Sequence, residues 1–270
     1  MTTSYTLCQD ARTGQFVRAF WQTAGVPVYQ TETILPTGVV ELIFSFNDSV
    51  AFTRSNHSKQ LSTPRCFVSG VSDTSVQLSA PGRQDFFGVE LRPAAVKRLL
   101  KIPGGEFLNA ITDLEAINKE FNGLWHRLAE ADSFDARINT TQQWLGQKLC
   151  SVPAQEMAIA DFLVTGLESL SVTDQAGKFC YSTRQLHRKM QELFGMSTEG
   201  LIRYKRYVHA LHLIHHSHET LTSVGYDCLY YDQAHFIREF RDFTGLTPGE
   251  YRQQKSSLPG HLYNNVRYIQ

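Results

Sequence analysis

Tyr230-Tyr231-Asp232-Gln233-Ala234-His235-Phe236, continuing through Thr247-Pro248-Gly249-Glu250-Tyr251-Arg252, carries the densest local signals in this 270-residue chain. Phe236, Phe240 and Phe243 recur at spacings of four and three, which sets them on one stripe of a helix. Gln233, His235, Arg238 and Arg241 fall off that stripe. An apolar side to anchor and a donor-rich side to read base edges is what a helix laid in a DNA major groove requires. Asp232 is placed to cap this helix and Gly245 to end it in a left-handed turn. Thr247-Pro248-Gly249-Glu250 then starts another, with Pro at its first position and Glu closing a capping box.

A second copy lies upstream. A shift of fifty residues superimposes Ser182 on Asp232, Leu186 on Phe236, Arg188 on Arg238, Met190 on Phe240, Leu193 on Phe243 and Gly195 on Gly245. It also brings Met196 onto Leu246 and Ser197 onto Thr247. Ser182 and Gln185 form an S-x-x-Q capping box. Two copies are too few for a solenoid and fit two helix-turn-helix units joined by a helix. That linking helix, Thr198 to His216, presents Leu201, Tyr204, Val208 and Leu211 as its apolar stripe.

Ser182-Thr183-Arg184-Gln185-Leu186-His187-Arg188, Phe194-Gly195-Met196-Ser197 and the stretch from Tyr230 to Arg252 together resemble the DNA-binding domain of AraC/XylS-type transcriptional regulators, over about residues 154–255. The resemblance implies two helix-turn-helix units whose recognition helices, about 182–194 and 232–243, enter adjacent major grooves. It also implies that Arg184, His187 and Arg188 approach bases in the first unit, and Gln233, Ala234, His235 and Arg238 in the second. The chemistry of these side chains is compatible: Arg pairs with guanine O6/N7, and Ala234 is suited to a thymine methyl. Ser182, Lys189, Arg203, Arg206 and Arg241 are better suited to phosphates, which position a protein without reading sequence. Two positions depart from the family pattern. Leu229 stands where the second turn usually has Gly, and Gly225 where it usually has Ala. If Leu229 takes a positive φ, the cost is about 1–2 kcal/mol.

Twenty-six basic and 26 acidic side chains cancel to a formal net charge of zero. DNA binders usually carry a basic domain, but here placement matters more than the sum. Arg184, Arg188, Lys189, Arg203, Lys205 and Arg206 face only Glu192 and Glu199 between positions 184 and 206. In the second unit Glu239 and Asp242 sit beside Arg238 and Arg241, so modest non-specific affinity is expected. Five scattered cysteines without a CxxC pair argue against a disulfide framework or a structural zinc site and suit a reducing cytoplasm. No apolar run approaches a membrane span, and the N-terminus lacks signal-peptide character.

The first hundred residues read as β-rich. Val40, Leu42, Phe44 and Phe46 alternate with Val39, Glu41, Ile43 and Ser45, the pattern of a half-buried strand. Val76 and Leu78, the turn Pro81-Gly82-Arg83-Gln84-Asp85, and then Phe87, Val89 and Leu91 predict a hairpin. Pro93 opens a short helix, Ala94 to Leu100. The segments Leu35 to Phe44 and Gly88 to Pro93 resemble the cupin-like N-terminal domain of one branch of AraC-type regulators, over about residues 15–115. Farther on, Phe134, Ile138, Thr141, Leu145 and Leu149 form a helical stripe, equally suited to packing on the β domain and to a dimer surface.

The expected architecture is therefore α+β. A β-rich barrel or sandwich (1–114) precedes a helical linker or dimerisation region (115–153), ending at Ser151-Val152-Pro153. A DNA-binding domain with two helix-turn-helix units (154–255) and a loose tail (256–270) follow. Among His209, His212, His215, His216 and His218 near the end of the linking helix, His209 with His212 or His212 with His216 is a candidate metal-binding pair; the simpler reading is a solvated helix end. No Gly-rich phosphate loop, G-x-S-x-G or H-E-x-x-H motif is present. The β segment has only His57 before His126, so no enzyme, cofactor or metal is expected. Glu41, Glu90 and Arg92 remain candidates for lining a ligand pocket or for structural pairing. The expected partners are double-stranded promoter DNA, a small-molecule effector, RNA polymerase and a second copy of the chain. A ligand-independent protein-interaction module and a β-domain enzyme fused to a DNA-binding domain are the competing readings.

Overall fold

A computed structural model describes residues 1–47, 49–54, 59–79, 82–149, 157–159, 161–163, 167 and 171–264. The expected boundary at Ser151-Val152-Pro153 lies outside them. The β domain contains β1 (Thr2–Leu7), β2 (Val17–Gly25), β3 (Thr31–Ile34), β4 (Val40–Ser45), β5 (Ala51–Arg54), β6 (Leu61–Ser62), β7 (Cys66–Ser69), β8 (Val76–Ser79), β9 (Gln84–Leu91) and β10 (Ile111–Asp113). One sheet runs β1-β2-β9-β4-β7-β10. The other begins with β11 (His261–Asn264), supplied from the far end of the chain, and runs β11-β3-β8-β5-β6. Both sheets keep open edges, so the domain is a two-sheet sandwich and not a closed barrel.

The expected hairpin across 76–91 does not form. β8 pairs with β3 and β5, whereas β9 pairs with β2 and β4, so the connection crosses from one sheet to the other. Alternation identifies both strands correctly, but both edges of each are taken by other partners. On the larger sheet, Phe20, Leu42, Phe44, Phe87 and Val89 are buried to 1% exposure or less. This face packs towards α3 (Glu120–Glu130) and α4 (Phe134–Lys148), with Phe134 edge-on to Phe87 at 6.2 Å. Two shorter helices, α1 (Pro93–Leu100) and α2 (Leu114–Ile117), precede them.

The stripe on α4 is used within the chain. Thr141 and Leu145 are buried, and Arg137 on the same helix clamps Asp85 of β9 through two guanidinium bonds of 2.8 and 3.3 Å. Of the two readings open for this face, packing on the β domain is the one observed.

The opposite face of the larger sheet carries paired carboxylates. Glu41 and Glu90 are cross-strand partners; Trp21 Nε1 donates to Glu41 at 2.6 Å, and Arg18 lies 3.5 Å from Glu90. Burial, aided by the Glu90 carboxylate, pushes the Glu41 carboxyl up to about 7 despite opposing contributions from Trp21 and His261. Arg92 does not join them: it donates to Asp161 and to the Gly14 carbonyl.

The helical part comprises α5 (Val172–Lys178), α6 (Thr183–Phe194), α7 (Thr198–His216), α8 (Leu221–Asp227), α9 (Gln233–Thr244) and α10 (Pro248–Gln254). α7 is buried on more than its expected stripe: Ile202, Lys205, Tyr207, Ala210 and Ile214 are buried beside Leu201, Tyr204 and Leu211. A helix with apolar residues on several sides lies between layers, and α7 does. Its Tyr204 hydroxyl donates to the Ser72 carbonyl at 2.7 Å, and its Tyr207 hydroxyl to that of Pro36 at 3.0 Å, both in the β domain. On its other side Tyr207 stacks on Phe243 of α9, with centroids 4.7 Å apart.

The segment after α10 corrects another expectation. Residues 261–264 are no loose tail, because they pair antiparallel with β3.

Candidate nucleic-acid interface

Each unit presents its outward helix through the same local devices. Ser182 accepts from the Gln185 N–H, and Gln185 reciprocates in a full capping box. Asp232 accepts from the His235 N–H at 2.7 Å. Gly195 and Gly245 end α6 and α9 at φ 73° and 77°, as the left-handed cap requires. Thr247 and Glu250 close the box that starts α10.

The inward faces are apolar and closed. Leu186, Met190 and Leu193 of α6, and Phe236 and Phe240 of α9, are all at 5% exposure or below. The outward faces are open. Arg184, His187, Arg188 and Gln191 are exposed along α6, and Gln233, Ala234, Arg238 and Arg241 along α9. His235 is half-buried, its ring edge-on to Tyr230 at 5.4 Å and its Nε2 3.6 Å from Glu239. It therefore belongs partly to the core of the second unit.

The expected phosphate contacts divide. Arg241 is exposed, with Glu250 4.0 Å away. Lys189 reaches Glu192, which Lys97 of the β domain also grips at 2.5 Å. Ser182 has its hydroxyl committed to the cap. Arg203 bridges Glu239 at 2.9 Å and Asp242 at 3.3 Å while half of its side chain stays exposed. Arg206 is a correction. Only 12% of its side chain is exposed; it forks onto Glu239 at 2.7 and 2.8 Å and lies over the Tyr230 ring. Burial would raise the Glu239 carboxyl, but the Arg206 and Arg203 guanidiniums outweigh it and hold it below the usual range. Arg206 thus fastens α7 to α9. Glu239 escapes a reading of the sequence as a DNA contact, although a carboxylate on the inner side of an otherwise aromatic helix signals a buried cationic partner.

The fifty-residue repeat also breaks at one point. Leu229 has φ 58°, and its first-unit counterpart is Cys180 with φ 55°. The Tyr181 N–H reaches the Ala176 carbonyl, and the Tyr230 N–H reaches that of Gly225. Across the turn the offset is therefore forty-nine, and Tyr231, 90% exposed, is one extra residue before the second cap. At Gly225, the counterpart of Ala176, a Cβ would come within 3.3 Å of the Phe236 ring. Among the described residues no group of three or more His, Cys, Asp or Glu is arranged to hold a metal ion. His212 and His216 lie with ring centroids 4.4 Å apart, and His215 Nδ1 meets the Tyr251 hydroxyl at 3.0 Å.

Fold and surface define a two-domain protein: a β sandwich followed by tandem helix-turn-helix units. Known proteins sharpen this. Residues 175–254 match the model of a helix-turn-helix domain family, and residues 12–113 that of a domain of unknown function, DUF6597. The HTH-type transcriptional activator RhaS of Escherichia fergusonii is 27% identical over 165 residues, covering 60% of this chain and 53% of that protein. RhaS of Citrobacter koseri is 30% identical over 124 residues, covering 46% and 38%. The chain thus spans about half the length, or less, of these curated relatives. A crystal structure of ToxT from Vibrio cholerae O395, bound to (E)-4-(8-methylnaphthalen-1-yl)but-3-enoic acid, shares the fold. Its TM-score is 0.50 at 11% identity, over 87% of this chain and 98% of that one. In its paired helix-turn-helix part the chain is similar to these activators, and an N-terminal β domain precedes that part. No helix among the described residues is long and apolar enough to cross a membrane.

Proposed function

We propose that this chain is a sequence-specific, DNA-binding transcriptional regulator that lays α6 and α9 into adjacent major grooves of promoter DNA. One observation carries the proposal. Two separately capped helices each bury an apolar face and leave the opposite face open, with Arg184, His187 and Arg188 on one and Gln233, Ala234 and Arg238 on the other. Lys189, Arg203 and Arg241 are the cations left near the surface for phosphates; Arg206 is withdrawn from that role. The relatives' description as transcriptional activators supports the reading. The sandwich is the part to take a small effector or to join a second copy, and RNA polymerase is a further partner for an activator. ToxT, solved with a bulky unsaturated acid, supports the effector role. Coupling between effector and DNA sites is typically about 1–3 kcal/mol.

The test is selection of bound DNA fragments at stated salt, followed by Arg188→Ala and Arg238→Ala. Each is expected to lose about 1–3 kcal/mol of discrimination at one position of the site. The thermal midpoint should hold, because both side chains are exposed. Unchanged specificity in both variants overturns the assignment of the reading faces.

A further inference from the structure

After α10 the chain doubles back onto the β domain. Lys255 Nζ donates to the last carbonyls of α7, Ile214 at 3.0 Å and His215 at 2.6 Å. Gly260 donates its N–H to the Tyr251 hydroxyl of α10 at 3.3 Å, and its carbonyl accepts from Leu35 of the β domain. It sits at φ 77°, against Thr37, where a Cβ would come within 2.8 Å of a methyl group. From this pivot β11 runs along β3, with His261 opposite Ile34 and Asn264 opposite Thr31. His261 Nδ1 lies 2.6 Å from one oxygen of Glu32, and Tyr29 donates to the other at 3.1 Å. Tyr263 stacks on Tyr29 with centroids 4.3 Å apart. Glu32 is itself buried, so removing the His261 ring leaves its carboxyl one hydrogen bond short, away from water.

We propose that residues 255–264 are a strap fastening the second helix-turn-helix unit to the β domain, with His261 on Glu32 as its buckle. Three features argue for a device over an incidental packing of the chain end. The strap joins two elements that nothing in the helix-turn-helix fold requires to meet. It holds both ends of its span, α7 and α10 on one side and β3 on the other. It is also short: a four-residue edge strand, held to one neighbour by its ladder, the His261–Glu32 contact and the Tyr263–Tyr29 stack, is small enough to open without either domain having to unfold. The reading faces of α6 and α9 stay open while it is fastened, so the strap positions the second unit and does not cover it. Its buckle lies in the β domain, and a change around Glu32 reaches α10 through His261.

Hydrogen exchange on the full chain tests this without DNA. His261→Ala should speed exchange at least tenfold in residues 31–34 and 261–264, and also in α10. A second form keeps the test decisive should that variant fold poorly: Thr31→Cys with Asn264→Cys, in a Cys180→Ser background, oxidised to lock the strand. It should slow the same amides, and reduction should restore them. Faster exchange in the strand with unchanged α10 overturns the fastening role, as does no change anywhere. On DNA fragments selected with the parent chain, His261→Ala should weaken binding at least fivefold while the locked form binds as the parent does. Equal affinity across all three forms overturns the positioning role. A parent chain that selects no DNA sinks the functional proposal, and the exchange result still judges the strap.

Discussion

The two helix-turn-helix units share a backbone plan and are held in place by unlike means. In the first, the C-terminal cap of α6 is covered by the β domain. A Cβ on Gly105 would overlap the Gln191 carbonyl and the Gly195 N–H, and one on Gly104 would overlap the Leu193 carbonyl, so backbone lies directly on backbone. The matching cap of the second unit is open, since a Cβ on Gly245 would meet nothing within 4 Å. That unit is fastened from its inner side by charge, because Glu239 replaces what is Lys189 fifty residues earlier. A duplicated fold therefore does not duplicate its energetics: equivalent positions carry a buried ion cluster in one copy and a surface cation in the other.

Five substitutions would break or sharpen this contrast. Glu239→Ala should have the largest effect, a loss of about 3–5 kcal/mol, because it strands the buried Arg206 guanidinium. Denaturant unfolding with a helical probe measures it, and a loss below about 1 kcal/mol would show that the cluster is not what holds α9. Gly105→Ala comes next, at about 1–3 kcal/mol for forced overlap. Its damage should appear as looser docking of α6 on the β domain, read by proteolysis between the two. Leu229→Gly and Cys180→Gly should each stabilise by up to about 1 kcal/mol, since both relieve a left-handed non-glycine residue that packs little. Equal gains in melting experiments would mark the two turns as equally strained; a gain in only one would separate them. Lys189→Ala should be smallest, within about 0.5 kcal/mol, because its ion pair is near the surface and Lys97 remains on Glu192.

What is legible in the sequence is local. Ser182, Asp232, Thr247, Gly195 and Gly245 announce helix ends through hydrogen bonds spanning three or four residues, and each does what its type implies. The apolar stripes of α6 and α9 are equally readable, since burial follows the helical period. The positive φ left open for Leu229, where the family pattern usually has Gly, is the one it takes. Partners distant in sequence are not readable. Alternation marks β8 and β9 as strands but cannot say that they belong to different sheets. Nothing in the period of α7 says that Tyr204 and Tyr207 reach carbonyls more than a hundred residues away. β11 has four residues, too few for a period, and its pairing depends on β3 being left with a free edge. Arg206 misleads for a related reason: its partner lies 33 positions away, and a surface cation and a buried one are spelled alike.

The single additional residue at Tyr231 has a consequence for what the tandem can recognise. Two recognition helices of the kind proposed, with different approach turns, different side chains and different moorings, are not interchangeable. On a duplex they would give the bound site a left and a right, so one molecule sits in a single polarity without needing a mirror-image half-site. A promoter read in this way would sense the direction of the element as well as its presence, and inverting the element would amount to removing it.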